Sequence, residues 1–312
     1  MEQKLKIVFL GTPEFAVPPL EKLISSEFKP MAVFCAPDKP VGRQQILTPP
    51  PIKILAQKYN LPVFQPTNPR ELVKQLETLN CDLIVSAAFG IIMPKAALEL
   101  PRLGCLNIHP SLLPRWRGAS PLQAAILAGD RKTGVTIIKM DAKVDHGPIV
   151  AQEEIAIDEN RLTTPELSLK LSAAGANLLL KILPPWIEGK MKPQPQNETE
   201  ATFCKIIKKE DGEIDWRRPA KEIERQIRAF FPWPGNFGEI DGQKIKIIRA
   251  DFLSQDSGKE IREIFLDENK NIAVQTGQGY LILKIIKTEG GKEMPAEDFL
   301  RGHQNLIGQS FN

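Results

Sequence analysis

Short runs rich in valine and isoleucine alternate with helix-periodic segments up to about residue 190, and this alternation constrains the fold more than any other feature. Residues 5–10, 31–36, 82–88, 103–109 and 135–140 have the length and composition of buried strands. Between them, residues 18–26, 51–60, 69–80 and 121–128 carry helical patterns. Helix starts are marked by proline or a capping residue, as at Thr67 and Asn68 before Pro69. Strands alternating with helices predict an α/β domain on a doubly wound, mainly parallel, Rossmann-like sheet. Ligands of such sheets sit beyond the carboxyl ends of the strands.

A helical stretch at 164–189 closes this domain, so its expected span is 1–189. Residues 190–204, opening K-M-K-P-Q-P-Q-N-E-T-E, are polar and proline-bearing without periodicity and read as a linker. In 205–312, one helix (219–231) precedes strand-like runs at 244–248, 261–266, 271–275 and 280–286, which fits a small β-barrel domain. A chain of 312 residues has room for both. Its 42% hydrophobic and 25% charged content is that of an ordinary soluble protein, and a net charge of +3 is too small to establish nucleic-acid binding alone. The four cysteines form no C-x-x-C pair and there are three histidines, so no metal is expected. The opening K-L-K-I-V-F-L is too short for a secretory or membrane segment. A cytoplasmic monomer with no membrane partner is expected.

The chemistry concentrates in C-L-N-I-H-P-S-L-L-P, residues 105–114. Asn107 and His109 are two apart on a strand and share a face, and Pro110 ends the strand where they emerge. Asp145 follows a second apolar run, G-V-T-I-I-K-M, and is expected at the same sheet edge. An amide, an imidazole and a carboxylate together suit a reaction through a tetrahedral oxyanion. Taken singly, His109 reads as a structural histidine at a strand end and Asp145 as a turn residue. The segment G-T-P-E-F-A-V-P-P-L has one glycine and several prolines, so it reads as a tight turn rather than a dinucleotide loop. Residues 36–53 form a long loop, of the kind that is functional or disordered. The basic residues of the second domain are interleaved with acids, as on a solvated face. Trp216 and Trp233 read as core.

The run N-I-H-P-S-L-L-P-R-W-R-G-A-S-P closely resembles the signature of folate-dependent formyltransferases. I-K-K-E-D-G-E-I-D-W, R-A-F-F-P-W-P-G and F-L-R-G-H narrow the resemblance to the methionyl-tRNA formyltransferases, and it runs from residue 7 to about 308. It implies an oligonucleotide-binding-type (OB-like) barrel in the second domain. It also implies that Asn107 and His109 stabilise the oxyanion, while Asp145 orients the imidazole and a water for proton transfer. Phe89, Gly90, Ile91 and Ile92 would wall the pterin pocket, and Ser111, Leu112, Leu113 and Pro114 would border the folate. Arg43 would meet the acceptor end of the tRNA, with Lys205, Lys208, Lys209 and Arg217 on the tRNA-facing surface. The implied reaction moves a formyl group from 10-formyltetrahydrofolate to the α-amino group of initiator methionyl-tRNA. Enzymes formylating an amino sugar nucleotide or glycinamide ribonucleotide share the same core and are the nearest alternative; a silent RNA-binding module is another. The chain departs from the family pattern twice. His146 stands where a small hydroxyl residue is commoner, and Gln44, Gln45 and Ile46 replace a glycine and lysines.

Overall fold

The apolar runs become the central strands of one sheet. The computed structural model describes residues 5–42, 44–157, 162–240 and 242–312. Its first elements are β1 (Ile7–Gly11), α1 (Val17–Ile24), β2 (Ala32–Phe34), a hairpin of β3 (Lys39–Val41) and β4 (Ile46–Thr48), α2 (Pro51–Lys58) and β5 (Val63–Phe64). Then come α3 (Pro69–Leu79), β6 (Leu83–Ala87), α4 (Lys95–Leu98), β7 (Cys105–His109) and β8 (Arg117–Gly118). After these follow α5 (Pro121–Ala128), β9 (Lys132–Lys139), β10 (Ile149–Ala156), α6 (Thr164–Ile187) and β11 (Phe203–Cys204). The chain divides into two compact units, the first holding residues up to Pro121, Lys132–Ala156 and Ser168–Cys204.

Among the described residues of this unit, the main sheet has the order β10-β9-β7-β6-β1-β2-β5. The five strands from β7 to β5 are parallel. β1 and β6 are buried at every position, which is why they read as unbroken apolar runs. α3 starts as the sequence predicts: the Asn68 side chain accepts from the N–H groups of Arg70 and Glu71, with Pro69 in the first turn. α6 is long and apolar enough to span a bilayer by composition alone, and Leu167, Leu171, Leu179 and Leu183 on it are fully buried.

Two features of this unit differ from the expected pattern. β9 runs antiparallel to β7, with Leu106 paired to Lys139 and His109 to Thr136. The chain therefore leaves β9 beside the start of β7 rather than beside its carboxyl end. The expected loop at 36–53 contains a two-stranded ribbon whose Val41, Ile46 and Leu47 are exposed.

The second unit comprises Leu122–Arg131, Ile157–Leu167 and Lys205–Asn312. Its helix α7 (Ala220–Ala229) precedes β12 (Asn236–Ile240), β13 (Gln243–Leu253), β14 (Ile264–Leu266), β15 (Ile272–Gln275), β16 (Tyr280–Thr288), β17 (Met294–Pro295) and α8 (Ala296–Gly302). The strands form an antiparallel sheet ordered β12-β13-β16-β15-β14, with β17 added to β16. Register shifts near Ile247 and Arg249 in the β13–β16 ladder bend it into a half-barrel. Ile223 and Ile227, one helical turn apart on α7, pack with Trp216, Ile245, Ile247 and Leu281 in one core. Trp216 is 1% exposed and stacks on Phe311 at 4.6 Å, whereas Trp233 is 57% exposed and is not a core residue. Trp233 lies between Pro232 and Pro234, and prolines there cannot continue α7, so the chain turns and carries the indole outward.

Candidate active site

Strand β7 supplies two of the three chemical groups. Leu106 and Ile108 are buried in the core, while Asn107 and His109 project from the other face. Asn107 is half-buried, and its amide makes no hydrogen bond within the protein among the described residues. His109 is 4% exposed, with Nε2 3.0 Å from the Trp116 carbonyl. A carbonyl only accepts, so Nε2 carries the hydrogen and donates it. Nδ1 faces Asp145, 3.4 Å from Oδ1.

The loop after β9 must run back toward the carboxyl end of β7 to bring Asp145 there. Gly147 makes the return possible: a Cβ at this position would overlap the Lys139 carbonyl. Asp145 itself adopts the left-handed region, at φ 49°, a conformation that costs a non-glycine residue free energy. Its Oδ2 accepts from the N–H of Gly118 at 2.9 Å. Burial pushes the Asp145 carboxyl up, but the charge and hydrogen bond of His109, the Gly118 N–H and the charge of Arg117 outweigh it. The net effect holds Asp145 below the ordinary carboxylate range, so it stays ionised beside the imidazole.

Residues that carry no signal in the sequence surround this pair. Arg117 is 2% exposed, donates two parallel bonds to Glu198 at 2.7 and 3.0 Å, and donates through Nε to Gln196. Glu198 is held below its usual range chiefly by its bond to Arg117. Gln196 donates to the carbonyls of Asp145 and Gly147, both at 2.8 Å. His146 does not join the His109 pair. Its Nδ1 lies 2.6 Å from Asp141 and its Nε2 3.6 Å from Glu198. Arg117 stands inside the R-W-R-G run, but a buried arginine has no periodic signature; Gln196 and Glu198 resemble linker residues because their partners are distant in sequence.

The residues expected around the folate fall into two groups. Phe89 is buried and its carbonyl accepts from the Thr12 hydroxyl, Gly90 has φ 92°, Ile91 is half-buried, and Ile92 is 72% exposed. The other group, Ser111 to Pro114, is tied to the sheet. Thr136 donates its hydroxyl to the Ser111 carbonyl and accepts from the Leu113 N–H, and Gln152 donates to the Leu113 carbonyl. The Ser111 hydroxyl itself donates to the Arg115 carbonyl, Leu113 is buried, and Leu112 and Pro114 are half-buried. Thr12 also accepts from the N–H of Ala36, so one hydroxyl joins the loops after β1, β2 and β6.

The expected tRNA-facing residues are exposed on the second unit but differ in pairing. Lys205 contacts Asp211, and Arg217 contacts Asp215, so each has a local counter-charge. Lys208 and Lys209 are exposed and form no ion pair among the described residues. Arg43 lies outside the described residues. A cavity of about 620 Å³ in the second unit, lined by Glu224, Arg228, Arg249 and Asp251 among others, contains none of the expected site residues. No cluster of three or more metal-ligating side chains is present among the described residues.

A mixed sheet with an asparagine, a histidine and a carboxylate converging at the end of one strand defines a class that comparison with known proteins resolves. The formyl transferase family matches residues 5–183, and the formyl transferase C-terminal domain matches residues 206–304. The chain belongs to the formyl transferase family. Over 305 residues it is 42% identical to the methionyl-tRNA formyltransferase of Staphylococcus aureus strain MW2, covering 97% of each chain. In fold it is similar to HypX from Aquifex aeolicus, solved in complex with tetrahydrofolic acid, with TM-score 0.64 and 18% identity. That likeness covers 99% of this chain, which spans about half the length of HypX, 49%. It is also similar to an N-formyltransferase from Helicobacter canadensis, solved with folinic acid and dTDP-3-aminofucose. There the TM-score is 0.67 and the identity 21%, over 93% of this chain and 100% of the other.

Proposed function

We propose that the chain transfers a formyl group from 10-formyltetrahydrofolate to the α-amino group of initiator methionyl-tRNA. The observation that carries the chemistry is the contact of His109 Nδ1 with Asp145 on the strand end that also presents the Asn107 amide, which makes no hydrogen bond among the described residues. The neutral amine attacks the formyl carbon, and a new C–N bond forms. Asn107 donates to the oxygen that becomes negative. His109 joins it by exchanging the Trp116 carbonyl for the substrate oxygen at Nε2. As the tetrahedral species collapses, the bond to the folate nitrogen breaks. Asp145, which orients the imidazole and a bound water, takes the proton lost by the amine through that water and returns it to that nitrogen. Phe89, Gly90, Ile91 and Ile92 offer the pterin mainly backbone groups, and the fixed Ser111, Leu112, Leu113 and Pro114 turn borders the folate.

Fold alone does not choose the acceptor, since the Helicobacter canadensis protein was solved with a sugar nucleotide. The full-length likeness to a methionyl-tRNA formyltransferase, including the match over 206–304, favours tRNA. In this reading 1–189 is the catalytic domain, 190–204 joins it to the second, and 205–312 binds tRNA through Lys205, Lys208, Lys209 and Arg217, with Arg43 near the reacting end. The enzyme works as a cytoplasmic monomer in translation initiation and uses no metal. A single-turnover assay with labelled 10-formyltetrahydrofolate tests the acceptor: label should appear on charged initiator tRNA and not on uncharged tRNA. Label on an amino sugar nucleotide with charged tRNA left unmodified would overturn it.

A further inference from the structure

Gln196 lies in the stretch whose composition is that of a linker, yet it is 9% exposed and both hydrogens of its amide group are used. Its orientation is unambiguous. The Arg117 guanidinium can only donate, so the amide oxygen faces Nε of Arg117 and the NH₂ group faces the carbonyls of Asp145 and Gly147. Those carbonyls flank His146 on the return loop after β9, in which Asp145 holds its left-handed conformation. Arg117 is in turn fixed by the parallel bonds to Glu198, and the next residue, Gly118, donates its N–H to the Asp145 carboxylate.

The same stretch holds the other partner of the pair. Thr202 accepts from the N–H of Arg117 and, through its hydroxyl, from that of Trp116. Trp116 is the residue whose carbonyl receives the Nε2 hydrogen of His109. β11 then pairs with β8, where a Cβ on Gly118 would strike the Cys204 carbonyl. Both the imidazole and the carboxylate are therefore anchored from residues 196–204.

We propose that Gln196 is a positioning residue for Asp145, kept in place by Arg117 and Glu198, so that the apparent linker sets the geometry of the reacting pair. This rests on the reading of Asp145 as the acid–base group. Gln196 holds the backbone of the loop while Gly118 holds the carboxylate. Loss of the Gln196 bonds frees the loop to relax from its strained conformation and to draw the carboxylate away from Nδ1. His146, between Asp141 and Glu198, ties the same loop to the same stretch at its outer side.

The test is steady-state kinetics of the full-length chain carrying Gln196→Met, which keeps side-chain length and removes both donors. kcat should fall about 10–100-fold, the scale of a misplaced catalytic group, with KM for folate and tRNA changed by no more than roughly twofold. The acid limb of kcat/KM should move to higher pH, because Asp145 is held low by His109, Gly118 and Arg117 and a displaced carboxylate loses those partners. General destabilisation would lower the amount of active enzyme without moving that limb. Should Gln196→Met fail to fold, Glu198→Gln, whose side chain is 59% exposed, carries the test with a smaller change in the same directions. Wild-type kcat and acid limb in the folded variant would overturn the proposal, provided Asp145→Asn is inactive. An active Asp145→Asn would instead overturn the acid–base reading on which it rests.

Discussion

Asn107 and His109 sit two residues apart on β7 but differ in what the protein already asks of them. The side-chain amide of Asn107 makes no hydrogen bond within the protein among the described residues, whereas His109 is held at both nitrogens. Removing one oxyanion donor typically lowers turnover by about 10²–10³-fold. Asn107→Ala should show that loss with an unchanged melting temperature. His109→Ala should lose as much activity and also some stability, since it strips a buried partner from Asp145. Near-normal turnover in either would remove it from the mechanism. Asp145 also predicts a pH effect. Its folded pKa is lowered, so its contribution to stability is complete above the unfolded carboxylate value of about 4 and is lost as pH falls through the folded value. Melting temperature should decline less steeply toward acid pH in Asp145→Asn than in the unaltered chain. Parallel curves would contradict this.

Element formation was legible wherever burial was symmetrical or caps were explicit. β1, β6 and β7 read directly as apolar runs, and α3 announces itself through Asn68 and Pro69. β10 was not legible, because as an edge strand it carries exposed Glu153 and Glu154 and lacks an apolar face. The hairpin of β3 and β4 was hidden by exposure of all its residues. At the site, Asn107, His109 and Asp145 were visible as residue types. The antiparallel course of β9 and the anchoring by Gln196 were not, because both depend on pairings between distant segments. In the second unit, the core predicted around Trp216 is real, while Trp233 shows that an aromatic between prolines is no guide to burial. Trp216→Ala should cost about 3–5 kcal/mol in denaturant unfolding, as large aromatic truncations in cores do. A loss below about 1 kcal/mol would mean that the stack on Phe311 is not a core contact.

For the whole molecule, the proposed division of work between a catalytic unit and an RNA-binding unit makes salt the informative variable. Lys208 and Lys209 form no ion pair among the described residues, whereas Lys205 and Arg217 have carboxylate partners. Replacing Lys208 and Lys209 by alanine should weaken tRNA binding and flatten its log–log salt dependence by about one for each phosphate no longer neutralised. Lys205→Ala and Arg217→Ala should change the slope less, because each cation is partly neutralised already. Filter binding across a salt series would show this, and the reverse order would place the RNA elsewhere on the surface. Because Gln44, Gln45 and Ile46 supply no positive charge beside position 43, the second unit should carry most of this slope.

The central claim, that formyl transfer runs through the Asn107, His109 and Asp145 group, is tested most directly by the single-turnover rate of Asp145→Asn at saturating 10-formyltetrahydrofolate and methionyl-tRNA, measured beside His146→Thr. Asparagine keeps the shape and cannot take a proton, so the rate should fall about 10²–10⁴-fold, the range that general acid–base catalysis supplies. His146→Thr, which removes the bond to Asp141 and the contact with Glu198, should retain substantial activity. A near-normal rate in Asp145→Asn, or a greater fall in His146→Thr, would contradict the account.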